Sequence, residues 1–169
     1  FDADYKDMYK PYYKRTNFYV YKLYHENFGD TLLETSVECG SYNIFDFKPA
    51  LKSIYKREIG HGNSNILFPI PYISVNASKS SDGRKLYMML INKSMTKSIE
   101  ARIVLKNFMP KKNGDAWILN GPTIDSTNEI DHNNVKFVHK KANAEGSQLD
   151  FTLEPHSVTA LTFENSVNE

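Results

Sequence analysis

The hydrophobic period of this chain changes once, at Gly29, and that change constrains the fold more than any other feature of the sequence. Before it, Phe18, Tyr21, Tyr24 and Phe28 recur at helical spacing, and Val20 and Leu23 widen the stripe. Thr16 stands where its hydroxyl can accept an otherwise unpaired backbone N–H. Lys22 and His25 lie towards the carbonyl end, and Gly29 suits a left-handed stop. The pattern predicts a helix from about Asn17 to Phe28, with an apolar stripe wide enough to pack on two sides.

After Gly29 the period is two. Strands are predicted over Thr31–Val37, Ile73–Ala77, Lys85–Ile91, Ile99–Leu105, Ala116–Leu119, Val135–His139, Gln148–Leu153 and Ser157–Glu164. Asp82-Gly83 suits a tight hairpin turn between the second and third of these. Lys85–Ile91 is apolar on both faces (Leu86, Met88 and Leu90 against Tyr87, Met89 and Ile91), so it belongs inside a sheet covered on both sides. In Ile99–Leu105, Glu100 and Arg102 alternate with apolar residues, which marks a half-exposed strand. About eight short strands separated by turn signals argue for an antiparallel, jelly-roll-like β-sandwich carrying an N-terminal α-helix. Residues 40–70 break the rhythm. There Asp46, Pro49, Leu51, Ile54 and Tyr55 allow a short amphipathic helix before the glycine-rich GHGNSN loop.

The 169 residues suffice for one packed domain with a helical appendage. A net charge of +1, with basic residues scattered and densest only at Lys111-Lys112, argues against nucleic acid and against a membrane surface as partners. Cys39 is the sole cysteine, so neither an intrachain disulfide nor a thiolate-rich metal site can form, and the compartment stays open. No apolar run approaches the roughly 18 residues of a membrane-spanning helix. The chain opens at Phe1 in mid-pattern and without an initiator Met, which reads as a piece of something longer.

Several segments, taken in order, resemble the C-terminal region of α-L-arabinofuranosidases of glycoside hydrolase family 51. They are RTNFYVYKLYHENFGDTLLETSVE, PYISVNASKS, KLYMMLINKS, WILNGPTIDSTNEI and EPHSVTALTF, covering about Arg15 to Phe163 with residues 40–70 as an insertion. The resemblance implies a β/α catalytic barrel whose last helix leads into a β-sandwich. Residues 1–30 would then be a tyrosine-rich segment and that last helix, and residues 31–169 the sandwich. It also implies a retaining glycosidase using two carboxyl groups about 5 Å apart. Both belong to barrel strands upstream of this chain. Asn128-Glu129 looks like the family's acid/base pair, but it follows the LNGP strand of the sandwich, and the nucleophile segment has no counterpart. No catalytic residue is therefore assigned to this chain.

The other chemistry is sparse. His25, His61, His132, His139 and His156 form neither HxH nor HExxH, so no metal ligand and no cofactor is expected. His156 reads as a side chain fixing the turn in EPHSVT. The sequons at Asn76 and Asn92 read as chance matches. Eleven Tyr, ten Phe and one Trp make the chain unusually aromatic, and such rings serve either packing or sugar stacking. Tyr5, Tyr9, Tyr12 and Tyr13 in the polar start are the first candidates for carbohydrate binding, and Tyr42, Tyr55 and Tyr72 around the insertion the second. Packing is the favoured alternative for all seven. Trp117, between Ala116 and Ile118, reads as a core or inter-sheet residue. Three roles stand: an accessory domain that stabilises the barrel of its own parent chain, a module that binds plant cell-wall polysaccharide, and a subunit contact.

Overall fold

The computed structural model describes residues 14–43, 69–129, 131 and 133–166. Among these residues one helix, α1 (Thr16–Glu26), precedes ten strands. These are β1 (Thr31–Leu33), β2 (Ser41–Tyr42), β3 (Ile70–Pro71), β4 (Ile73–Lys79), β5 (Lys85–Asn92), β6 (Ile99–Val104), β7 (Asn113–Asn120), β8 (Lys136–Asn143), β9 (Gln148–Leu153) and β10 (Val158–Glu164). Six of them form an antiparallel sheet in the order β1-β4-β5-β10-β7-β8, and β6 pairs with β9 as a second, narrower layer. The predicted mainly-β antiparallel sandwich with an N-terminal helix is the observed architecture. The short helix expected around Asp46 to Tyr55 lies outside the described residues.

The sheet is buried on both faces by different partners. On one, Leu86, Met88, Leu90, Ala116, Leu161 and Phe163 pack with Leu149 and Leu153 of β9 to form the sandwich core. On the other, Leu23 of α1 sits over Met89, Leu119 and Ala160. Strand β5 lies between β4 and β10, and its two apolar faces enter these two cores, as its composition requires. The second layer keeps the simple alternation. Ile99, Ala101 and Ile103 turn inward, while Glu100 and Arg102 meet Thr152 and Asp150 across the strand pair on the outside.

Three local readings need correction. The helix N-cap is Arg15, without a side-chain cap bond, and Thr16 is already the first helical residue. Gly29 is not among the residues with positive φ. Its lack of a side chain instead lets the chain pass directly against the Lys79 backbone carbonyl, where a Cβ would collide, while its N–H donates to the buried Ser78 hydroxyl at 2.8 Å. A close approach, not a left-handed stop, makes glycine necessary there. The first strand ends at Leu33 rather than Val37, and the chain pairs again only at β2, which binds β3. The Asp82-Gly83 turn forms as expected. Gly83 has φ +69° and its N–H donates to Ser80 O at 2.9 Å.

Candidate functional site

Tyr5, Tyr9, Tyr12, Tyr13 and Tyr55 lie outside the described residues. Of the proposed sugar-binding tyrosines, the structure brings two together: the rings of Tyr42 and Tyr72 lie 5.2 Å apart, tilted by 40°. Their backbones explain the meeting. Tyr42 ends the short ladder with β3, and Tyr72, one residue beyond β3, donates its N–H to Gly40 O at 2.9 Å. Both rings are half-buried, and the two residues flank positions 44–68 in the sequence.

The helix-side face of the sheet carries a second aromatic group, and here the sequence reading is overturned. Trp117 is 39% exposed, not a core or inter-sheet residue. The alternation on β7 sends Gly114, Ala116 and Ile118 to the sandwich core and leaves Asp115, Trp117 and Leu119 on the opposite face. The β7–β8 register sets Trp117 opposite His139 and Asp115 opposite Lys141. The indole and imidazole stack with centroids 4.4 Å apart and planes 29° from parallel. One carboxylate oxygen, Asp115 Oδ1, takes Lys141 Nζ at 2.6 Å and His139 Nε2 at 2.8 Å. The Lys141 ammonium, and secondly His139, hold the Asp115 carboxyl below the usual carboxylate range. The alternation of FVHKK and DAWIL shows which residues share a face. Their register across the 121–135 connection is what the sequence does not display.

That connection is shaped by Asn128, which is buried. Its side-chain oxygen accepts Val135 N–H at 2.7 Å, and its amide donates to Val135 O at 2.9 Å. Glu129 is exposed in this same connection, between two sandwich strands. His25 lies exposed in the last turn of α1, and His61 and His132 are outside the described residues. His156 fixes its turn through the backbone, with φ +44° and its N–H on Ser94 O at 2.8 Å. Among the described residues, no helix is long and apolar enough to cross a membrane.

Glu154, in the β9–β10 connection, accepts Lys140 Nζ at 2.9 Å and Asn120 Nδ2 at 3.2 Å. Lys140 first, then Asn120, lowers its pKa. A carboxylate whose pKa is depressed by folding stabilises the fold above its unfolded value, about 4.3 for Glu, and loses that contribution as pH falls through the folded value. Thermal melts between pH 6 and 2.5 should therefore show stability falling below about pH 4. Glu154→Gln should make the fall shallower. An identical acid limb in the variant would remove Glu154 from the account.

The family model of the α-L-arabinofuranosidase C-terminal domain matches residues 6–157. Among solved structures, an arabinofuranosidase is similar with a TM-score of 0.68 and 19% identity over 89% of this chain and 29% of that one. The thermostable family 51 α-L-arabinofuranosidase from Thermotoga petrophila RKU-1 gives a TM-score of 0.69, also at 19% identity, over 89% of this chain and 29% of that one. The α-L-arabinofuranosidase from Thermotoga maritima, in its arabinose complex, gives 0.62 at 20% identity over 82% and 27%. The likeness to these structures is one of fold, and the chain spans less than a third of their length. No curated protein matches in sequence. With most of its length covered by the family model and its sandwich superposing on these enzymes, the chain belongs to the α-L-arabinofuranosidase C-terminal domain family.

Proposed function

We propose that this chain is the non-catalytic accessory domain of a retaining α-L-arabinofuranosidase-like enzyme acting on plant hemicellulose. In this reading α1 is the last helix of the enzyme's β/α barrel, and the sandwich stabilises the barrel through it. The supporting observation is the outer side of α1. Leu23, Tyr19, Val20 and Tyr24 face the sheet, whereas Phe18 and Tyr21 point the other way and are 40% and 74% exposed. Just past the helix, Phe28 and Leu32 are also exposed, at 37% and 68%. Apolar side chains grouped on one side of an element mark a contact with another protein surface. The carboxyl pair of a retaining mechanism belongs to that barrel.

The docking reading gives a differential result. Phe18→Ser with Tyr21→Ser should leave the melting temperature of the isolated chain within about 2 °C, because surface changes stay near 0.5 kcal/mol. The same pair should lower the melting temperature of the parent enzyme by several degrees. A large drop in the isolated chain, or none in the parent, would sink the reading. Arabinofuranosidase activity in the isolated chain would overturn its non-catalytic role.

The second reading is a carbohydrate-binding module using tyrosines, and the Tyr42–Tyr72 pair favours it. Its check is electrophoresis in gels containing arabinoxylan, xylan or arabinan. Retardation that disappears on replacing both tyrosines by Ala supports the module, and unaltered mobility in all three gels removes it.

A further inference from the structure

We propose that Trp117, His139, Asp115 and Lys141 form a binding site for a neutral glycan, separate from the tyrosine pair and from the outer side of α1. The group is rigid. Trp117 stands on β7, is flanked by β10 and β8, and is stacked on an imidazole that is itself tied to Asp115 Oδ1. An aromatic plane fixed in this way loses little freedom when a ligand arrives. It still keeps 39% of its surface open.

The group is also polar. Beside the indole stand one carboxylate and one ammonium in direct contact, with side-chain exposures of 43% and 64%. Both contacts fall on Asp115 Oδ1, which leaves Oδ2 to accept from a ligand hydroxyl, while the Lys141 ammonium can donate to another and the second ring nitrogen of His139 can accept. Charge balance within the group gives no preference for an anion such as a nucleic acid. A polyhydroxylated ring meets both needs, with its C–H face on the indole and its hydroxyls on the ion pair.

A glycan suits this face better than a protein surface does. Covering the Asp115–Lys141 pair with a dry protein surface strips water from two charges, and their mutual attraction need not recover that cost. Sugar hydroxyls replace the lost water with hydrogen bonds. The outer side of α1, with Phe18 and Tyr21, has the opposite chemistry and suits a protein. The two surfaces are therefore assigned different occupants.

Trp117 is the only tryptophan of the chain, so its fluorescence reports this site alone. Titration of the 169-residue chain with xylohexaose and with soluble arabinoxylan should give a saturable change in emission, together with reduced quenching by acrylamide. In arabinoxylan gels run with Tyr42 and Tyr72 already replaced by Ala, Trp117→Ala should abolish the retardation that remains, and Asp115→Asn should weaken binding about tenfold or more, as loss of a central anchor does. Far-UV circular dichroism verifies that both variants are folded, and Lys141→Met, a change at a largely exposed position, should weaken binding without affecting the fold. Emission and mobility unchanged by either glycan would overturn the site. So would a change in arabinoxylan retardation on Trp117→Ala no larger than that on replacing Tyr42 and Tyr72, or retardation that survives all three replacements together. Full protection of Trp117 from acrylamide in the parent enzyme without glycan would instead identify this face as a contact with the barrel. Each of these outcomes leaves the accessory role of the domain to its own test.

Discussion

Phe163→Ala should lower the unfolding free energy by about 4 kcal/mol, a large part of the 5–15 kcal/mol that holds a typical domain together. Phe163 is 1% exposed and lies in the sandwich core with Leu86 and Leu161. Its ring occupies the space that a side chain at Gly114 would need. A Cβ built on Gly114 falls 2.6 Å from two carbons of that ring and 2.6 Å from Thr162 O. The glycine and the phenylalanine are therefore one packing unit on neighbouring strands, and they should behave non-additively. Gly114→Ala alone overfills the site and should cost about 2 kcal/mol. In the Phe163→Ala background the ring clash is gone, so the second substitution should cost less than it does alone. Relief stays partial, because the Thr162 carbonyl belongs to the backbone and cannot swing away. Urea melts of the two single variants and the double variant measure the coupling directly. Simple additivity would show that the ring and the glycine are not in competition.

Much of this architecture was legible because burial imposes period two on a half-covered strand. The double apolar character of β5, the alternation in β6 and the turn at Asp82-Gly83 all reappear in the sheet. What escaped depends on partners distant in sequence. Gly29 looked like a helix stop because its real constraint, the Lys79 carbonyl, lies fifty residues away. Trp117 looked internal because its neighbours Ala116 and Ile118 are, yet period two sends it to the opposite face from them. Its pairing with His139 depends on a register set by the 121–135 connection and the Asn128 amide within it. Short pairings such as β2 with β3 carry too few residues to show a period at all. Of the seven tyrosines proposed from composition, the structure describes only Tyr42 and Tyr72, and it places these together. The Trp117 group was missed because period and composition do not reveal which strands are neighbours.

Asn92→Ala should be the other severe substitution, costing about 3 kcal/mol although it removes only a small polar side chain. The residue sits in a glycosylation pattern, Asn92-Lys93-Ser94, but it is 1% exposed and its amide is wholly committed. Nδ2 donates to Lys97 O at 2.9 Å and to Leu153 O at 3.0 Å, while Oδ1 accepts Ser94 N–H at 2.9 Å. Ser94 in turn accepts Lys97 N–H through its hydroxyl at 3.0 Å and His156 N–H through its carbonyl at 2.8 Å. One side chain thus ties the β5–β6 crossover to the end of β9 and, through Ser94, to the β9–β10 turn. These are the places where the chain passes between layers and the ladder bonds stop. Alanine would leave the Leu153 carbonyl and the Ser94 N–H buried without these partners, each at about 1–3 kcal/mol before relaxation. Asn92→Asp separates hydrogen bonding from size. An aspartate keeps the acceptor for Ser94 but cannot donate to either carbonyl, and burial beside carbonyl oxygens raises its pKa in the folded state. A group raised by folding contributes most at low pH, where the protonated acid can donate again, and loses that contribution as pH rises through its folded value. The deficit of Asn92→Asp relative to the parent chain should therefore shrink between pH 7 and pH 4, while that of Asn92→Ala stays constant over the same range. Parallel pH profiles for the two variants would show that the amide only fills space at the crossover.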